Sequence, residues 1–296
     1  MAGAASATTT SATIAPASMT PADLVITPRN LRFGRDEVRG RWWLGGDPVA
    51  TAWHNALSAS FPDGETFFIE TVRRFRDAVP AELKAQIDDF VRQEAYHTRE
   101  HVAFNRQVSD AGYDIAAIEQ RIAQSLVLAR TTHPVAQLLV TVSLEHFTAI
   151  FAHAMLAHGG RQFDGASAET RAMWTWHAIE EIEHKGVAFD TYMHVTRSLK
   201  PARRWAIRSA VFLRVSRNFV ANRVKDALAL LAQDGITGWR AKARLGWYLL
   251  GAPGVLRQVA WAWAAYFRPG FHPWDHDDRA LIAAHEATVT PAPAAA

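Results

Sequence analysis

The chain has 296 residues, of which 49% are hydrophobic and 21% charged, a composition typical of a globular protein with a large core. The absence of cysteine excludes disulfides, zinc–thiolate sites, iron–sulfur clusters and thiol nucleophiles. The formal net charge of +3 gives no indication of nucleic-acid binding, and we expect no nucleic-acid partner. The 13 histidines and 29 acidic residues remain as the strong metal ligands.

Both ends of the chain are predicted to be disordered tails, at residues 1–28 and 286–296. The first is rich in Ala, Ser and Thr and lacks the basic start and apolar core of a signal peptide. The segment "LVITPRNLRFG" alternates briefly and is predicted to form an extended arm. No run of about 18 uninterrupted apolar residues occurs, so we expect no membrane-spanning helix and a cytoplasmic protein.

Residues 29–199 are predicted to form an all-α unit. A short helix begins at Asp47-Pro48, an arrangement typical of helix N-termini. Four long helices follow as two hairpins joined by a bridging helix, which predicts a four-helix bundle with one longer crossover. Gly159-Gly160 and Ser167 mark the end of one long helix and the start of the next. The long helices are predicted at 62–79, 80–113, 134–160 and 167–198, and the bridging helix at 114–132.

Residues 200–285 are predicted to be a basic, tryptophan-rich helical extension that packs on the bundle. From Lys200 to Arg244 there are eleven Lys and Arg against two acids, a local net charge of 11 − 2 = +9. Two interpretations remain: an amphipathic helix that covers the bundle, which we favour, or peripheral membrane contact through 200–245. The segment "RPGFHPWDHDD" is predicted to be a rigid loop or clamp rather than a second metal site, because it is dense in Pro and Gly.

Two E-x-x-H motifs indicate metal binding. One is Glu94 with His97, and the other is Glu181 with His184. Residues three or four apart share a helix face, and His177, four residues before Glu181, lies on the same face as its motif. One such motif is a weak signal, but one in each predicted hairpin is a stronger one.

A dinuclear carboxylate site also needs a glutamate from each partner helix. In an antiparallel hairpin, residues equidistant from the turn lie at the same height. Glu94 lies about fourteen residues after the first predicted turn, and Glu65 lies the same distance before it. Glu181 lies about eighteen residues after the second loop, and Glu145 the same distance before it. Glu70 is the alternative to Glu65.

The predicted ligand set provides four carboxylates and three imidazoles for two metal ions, with iron expected and manganese as the alternative. It consists of Glu65, Glu94, His97, Glu145, His177, Glu181 and His184. His101 is predicted to line the site or to contact a ligand. Glu180 either orients a histidine or faces solvent. Glu183 and Glu100 are predicted to face water, and His153 to lie in the core or a pocket.

The arrangement of these residues resembles that of the ferritin-like di-iron carboxylate superfamily. With His177 as a third histidine, the set is similar to the seven-ligand site of the arylamine N-oxygenases. The segments "FPDGETFF", "RQEAYHTREH", "LEHFTAIFAHAML", "WHAIEEIEHKGVAFD" and "YFRPGFHPW" look like a bacterial family of predicted metal-dependent hydrolases. That resemblance covers roughly residues 30–280. It implies a ferritin-like bundle with additional C-terminal helices, and metal dependence.

Three functions are compatible with this site. The first, which we expect, is dioxygen activation at a di-iron centre, with oxidation of a small organic substrate. The second is hydrolysis by a hydroxide that bridges the metals, and the third is non-enzymatic iron binding, which the appended helices disfavour. Aromatic residues are expected to surround the substrate and exclude water: Phe67, Phe68, Phe104, Phe147 and Trp174. The sequence leaves the oligomeric state open, and a homo-oligomer is compatible with it.

Overall fold

A computed structural model of the chain describes residues 20–289, and within them it shows helices and irregular segments without a strand. This confirms the predicted all-α class. Short 3₁₀ turns lie at Arg76–Ala78, Arg161–Phe163 and Pro273–Asp275. The α-helices are α1 (Pro48–Ser58), α2 (Phe61–Arg73), α3 (Ala81–Asp110), α4 (Ala116–Arg130), α5 (Pro134–Ala157), α6 (Ala168–Glu183), α7 (Val187–Val195), α8 (Pro201–Gln233), α9 (Gly238–Leu250), α10 (Val255–Ala265) and α11 (Arg279–Val289).

Two helix pairs form the centre of the fold. Helix α2 packs against α3, and α5 packs against α6 and α7. The pairs meet because α2 also contacts α5, while α3 contacts α6 and α7. Helix α4 connects them and packs on α2 and α5. The central helices therefore surround a shared interior, as the predicted hairpins require.

Several helix ends follow the predicted signals. The Asp47 side chain accepts hydrogen bonds from the backbone N–H groups of Val49 and Ala50 at the start of α1. Ser167 Oγ accepts one from Thr170 N (3.1 Å) at the start of α6. Helix α5 ends before two glycines with positive φ, as predicted.

The helix predicted over 167–198 is interrupted. Helix α6 ends at Glu183 and α7 begins at Val187. Gly186 lies in this gap, where a β-carbon would come within 2.5 Å of Thr20 Oγ1 and 3.1 Å of the Trp274 ring. The break admits these two side chains, and it places His184 at the C-terminal cap of α6.

The predicted arm is extended and bound to the bundle through carboxylates. Backbone N–H groups of the arm donate to Glu183 (3.1 Å), Glu180 (2.8 Å) and Glu100 (3.1 Å). The prediction that Glu183 and Glu100 face water is therefore wrong, because both are buried where they accept these hydrogen bonds. Residues 1–19 of the predicted tail lie outside the described residues, whereas Thr20 donates to Asp190 (2.6 Å) and Ile26 is buried.

The C-terminal helices cover the bundle. Helix α8 packs on α1 and α5, α10 on α5, and α11 on α6. Exposed apolar side chains remain on this part, among them Leu213, Trp239, Trp247 and Trp261. Contact of 200–245 with a membrane stays a prediction. Residues 286–289 of the predicted second tail complete α11, and 290–296 lie outside the described residues.

Helix α5 is long and apolar enough to cross a membrane by length and composition, with a mean hydropathy of 1.5. It was not predicted as a membrane-spanning helix because polar residues interrupt its apolar sequence. However, 67% of its apolar window is buried inside the protein. The central core helix of a soluble protein gives the same weak signal, and α5 contacts seven other α-helices among the described residues.

Gly165, between α5 and α6, provides a test of the packing. Its φ is +85°, and a β-carbon would lie 2.6 Å from the Cα of Gly45. Gly165→Ala is expected to lower the free energy of unfolding by about 3 kcal/mol, because backbone strain and a backbone clash combine. Gly159→Ala is the matched control, since its φ is +65° with nothing within 4 Å, and about 1 kcal/mol is expected. If urea denaturation shows equal losses of unfolding free energy in the two variants, the close approach of Gly165 to Gly45 is contradicted.

Candidate metal centre

The seven predicted ligands converge in the interior between the two helix pairs. All are buried, with at most 5% of any residue exposed. They divide into overlapping groups whose ligand atoms lie within 4.8 Å of one another. Helix α2 contributes Glu65, α3 contributes Glu94 and His97, α5 contributes Glu145, α6 contributes His177 and Glu181, and its cap contributes His184.

The first half of the cluster surrounds His184. Its Nε2 lies 3.4 Å from one oxygen of each of three carboxylates, those of Glu94, Glu145 and Glu181. Ligand atoms about 2.1 Å from a common metal ion lie about 3.0–3.5 Å apart along the edges of its coordination polyhedron. The four atoms therefore have the spacing of ligands around one ion.

The second half surrounds His97 and His177. Glu181 Oε1 lies 3.5 Å from His97 Nδ1 and 3.2 Å from His177 Nε2. Glu65 joins these two histidines in one ligand group. Glu94 Oε2 lies 3.9 Å from His97 Nδ1. Glu94 and Glu181 thus direct one oxygen toward each half, the arrangement of carboxylates that bridge two cations.

The hydrogen bonding of the cluster fits a bound cation. Both side-chain oxygens of Glu65, Glu94 and Glu145 are buried without a hydrogen-bond partner among the described residues. The same holds for Glu181 Oε2 and for His184 Nε2. Buried carboxylates are costly unless they are paired or bind metal. Positive ions bound between these atoms would explain why carboxylate oxygens and an imidazole nitrogen converge without hydrogen-bond donors.

Electrostatics of the metal-free cluster show the same deficit of positive charge. Burial raises the pKa of Glu65 to about 8. Burial, and then the neighbouring carboxylates, raise the pKa values of Glu94 and Glu145 well above their usual range. Burial also opposes ionisation of Glu181, but His184 and His177 lower its pKa well below the usual range. Without metal the cluster retains protons that a cation would displace.

Glu180 orients His97 from outside the cluster. His97 Nε2 hydrogen bonds Glu180 Oε2 at 3.0 Å, which leaves Nδ1 directed at the cluster. Burial disfavours the His97 cation, yet Glu180 and Glu181 raise its pKa to about 10. Arg29 holds Glu180 through its backbone N–H (2.8 Å). Of the two alternatives for Glu180, its position fits the orientation of a histidine, a frequent arrangement in metalloproteins.

His101 extends a second chain of hydrogen bonds from His177. His177 Nδ1 lies 2.9 Å from His101 Nε2, and His101 Nδ1 lies 2.9 Å from Ser58 Oγ. Ser58 Oγ donates to Asn105 Oδ1 at 2.7 Å. Burial lowers the pKa of His101 well below its usual value, so its ring is neutral. All of these hydrogen bonds form when His177 Nδ1 donates to His101 and His101 Nδ1 donates to Ser58. His177 Nε2 is then unprotonated and can bind a metal ion.

Other predicted residues lie apart from the cluster. Glu70 is exposed and pairs with Arg130 (2.7 Å), so of the two alternatives only Glu65 joins the ligands. Trp174 lines a small cavity beside His177. Phe68 lines a larger cavity, while the other three aromatic residues predicted around the substrate are buried and line neither.

His153, His276 and Asp278 form a further group with metal-ligand spacing. Of the two positions predicted for His153, the core or a pocket, partial exposure excludes the core, and the side chain pairs with Asp278 at 2.8 Å. Lys185 Nζ donates to Asp278 (2.5 Å) and to the backbone of His276 (2.8 Å). These contacts provide Asp278 with a cation from the protein itself. They tie the C-terminal loop to the bundle, as a clamp would.

Three residues that support the cluster through hydrogen bonds were not predicted: Arg29, Ser58 and Asn105. Ser58 ends α1, and Arg29 lies in an irregular arm, so neither shares a helix with a ligand. Asn105 lies four residues after His101 on α3. This spacing could have indicated Asn105, whereas no sequence pattern indicates Arg29 or Ser58.

The metal-free protein is expected to lose stability as the pH rises from about 4.5 to about 8. The pKa of Glu65 is 4.5 in its usual state and about 8 when buried. Its stabilising contribution is therefore complete below pH 4.5 and is lost through pH 8. Glu65→Gln should flatten this dependence in urea denaturation, whereas the exposed Glu70→Gln should not. An unchanged slope in Glu65→Gln would contradict the assignment.

Glu180→Gln is expected to weaken metal binding about 10-fold, because a neutral amide supports His97 less well than a carboxylate. The measurement is the metal Kd by competition with a chromophoric chelator. Glu286→Gln is the control, since Glu286 is the exposed partner of the same Arg29. Equal affinities in the two variants would show that Glu180 does not act on the centre.

The comparisons with known proteins agree with a metal-dependent function. No curated protein and no solved structure matches the sequence. The model of a family described as "Predicted metal-dependent hydrolase" matches residues 27–277. Because this match covers most of the 296 residues, the protein belongs to the family of predicted metal-dependent hydrolases.

Proposed function

We propose that the protein is a dinuclear metal-dependent hydrolase that acts on a small organic molecule. The observation that carries this proposal is the set of buried carboxylate oxygens without hydrogen-bond partners, which converge on His97, His177 and His184. The family match supports the metal dependence and the reaction class. Iron is the proposed metal and manganese the alternative, since oxygen and imidazole ligands without sulfur suit both.

The fold that we propose for this site is a ferritin-like bundle. In such bundles, two helices carry E-x-x-H motifs and two carry single glutamates. Here α3 carries Glu94 and His97, and α6 with its cap carries Glu181 and His184. Helices α2 and α5 carry Glu65 and Glu145, and they contact each other and the motif helices.

The residues of the chain have separate roles in this proposal. Metal ions bound here would supply Lewis acidity and lower the pKa of coordinated water. Glu180 fixes the His97 ring, and His101 fixes the tautomer of His177 through the bond to its Nδ1. The Trp176 and Phe90 rings contact His97 and His184 and exclude solvent from both halves. The protein thereby holds its ligands in position before a substrate arrives.

A second candidate is the activation of dioxygen at a di-iron centre. The third histidine, His177, and the carboxylate-rich ligand set favour it, as the similarity to the arylamine N-oxygenases implies. The aromatic ring of Trp174 beside His177 would suit an apolar substrate. Hydrolysis remains the main proposal because the family description supports it.

Metal analysis tests the centre, and an oxygen requirement distinguishes the two reactions. We expect about two metal ions per chain, and one or none in Glu94→Ala and His184→Ala, with Glu70→Ala as control. Hydrolysis predicts turnover of ester or amide substrates by the metal-loaded protein without oxygen. Oxygen activation predicts no such turnover, and transient visible absorption when oxygen meets the anaerobic iron(II) protein. Unchanged metal content in both ligand variants would refute either function.

A further inference from the structure

A large cavity lies beside the metal centre, between α2, α4, α5 and α8. Its volume is ≈ 530 Å³, within the usual range for small-molecule sites. Two straight rows of side chains form its long walls. Helix α5 contributes every fourth residue from Ala136 to Thr148, and α8 every fourth residue from Val211 to Arg223, with Arg214, Asn218 and Asn222 in a polar row beside it. Each row extends over twelve residue-to-residue steps, or about 18 Å of helix, so the cavity is elongated.

Most of the wall is apolar. Val140 and Leu144 line it from α5, Val211 and Val215 from α8, and Leu126 from α4. A long apolar wall of this kind suits an alkyl chain, because each methylene that leaves water contributes favourably to binding.

One end of the cavity carries buried positive charge. Arg223 is only 4% exposed, and it donates to Asp226 Oδ2 (2.6 Å) and to the Ala56 carbonyl (3.0 Å). Arg121 pairs with the other oxygen of Asp226. Two guanidinium groups thus share one carboxylate, an excess of +1, and Arg223 Nε lacks a hydrogen-bond partner among the described residues.

Burial, followed by the charge of Arg121, lowers the pKa of Arg223 to about 9, in agreement with two guanidinium groups that share one carboxylate. A buried charge is costly unless it is paired. An anionic group at this end would balance it.

The cationic end is also the end nearest the metal centre. Phe61, Thr148 and Phe219 line both this cavity and the small cavity beside His177. The Phe61 ring stacks on His177 with centroids 5.1 Å apart. One aromatic side chain therefore separates the cationic end of the large cavity from a proposed metal ligand.

We propose that this cavity binds a single-chain amphiphilic carboxylate, with its carboxylate at Arg223 and its alkyl chain along the α5 and α8 rows. The excess cation selects the anionic group, and the length and apolarity of the rows select the chain. Binding requires no metal, so this inference goes beyond the proposed function and can be tested separately from it.

Calorimetry on the metal-free full chain tests the proposal with hexanoate, octanoate, decanoate and dodecanoate. The Kd should fall roughly 4-fold per added methylene until the rows are filled. Decanol, which has the chain without the charge, should bind at least about 10-fold more weakly than decanoate. This comparison avoids substitution of Arg223, whose loss would leave Asp226 with less charge compensation. A Kd independent of chain length, or equal affinity for decanol, would overturn the proposal.

Two pairs of variants locate the ligand. Ala129→Trp fills the cavity and should abolish decanoate binding, whereas Val127→Trp, on an exposed position of the same helix, should not. Arg121→Gln removes one of the two cations that share Asp226 and should weaken decanoate binding several-fold, whereas Lys225→Gln, an equal charge change outside the cavity, should leave it unchanged. If Ala129→Trp binds decanoate normally, the site lies elsewhere. If the protein binds phosphatidylglycerol vesicles but no free carboxylate, the basic residues around the cavity bind a membrane surface and the proposal fails.

Discussion

The structure depends on a concentration of carboxylates in an apolar interior. Glu65, Glu94, Glu145 and Glu181 are each at most 2% exposed, and seven of their eight side-chain oxygens lack a hydrogen-bond partner among the described residues. Ionised groups in this position need compensating cations. Since protonated imidazoles alone do not balance four carboxylates, metal ions are the simplest compensation. The central helices are then held together by ligands from each of them.

The arm and the bundle depend on each other through this centre. Arg29 binds Glu180 and Glu183, and Glu180 binds His97. Glu183 also accepts from Gln93 Nε2 (2.7 Å) on α3. A segment without regular structure thereby fixes the orientation of His97, a predicted metal ligand. Its own backbone is held because buried carboxylates satisfy its N–H groups.

The convergence of the seven side chains could be predicted because helices repeat their faces at fixed spacing, and because hairpins place equidistant residues at one height. Glu65 and Glu145 were selected in this way, and both converge with the two E-x-x-H motifs. Glu183 and Glu100 were misassigned because their partners lie more than sixty residues away in an arm without periodicity. The break at Gly186 likewise depends on Trp274, a contact that local sequence does not contain. Periodic features were thus predictable, and long-range contacts of irregular segments were not.

The two halves of the cluster differ in their surroundings, and this difference bears on access. Away from the three carboxylates, His184 contacts the Phe90 ring, with centroids 4.9 Å apart, and its Nδ1 has no hydrogen-bond partner within the described chain. His177 instead contacts His101, lines a cavity and stacks on Phe61. A hydrogen-bond chain and an adjoining cavity are what substrate approach and proton movement require. The half that contains His177 is therefore the side from which chemistry should begin, while the half that contains His184 is shielded by the core.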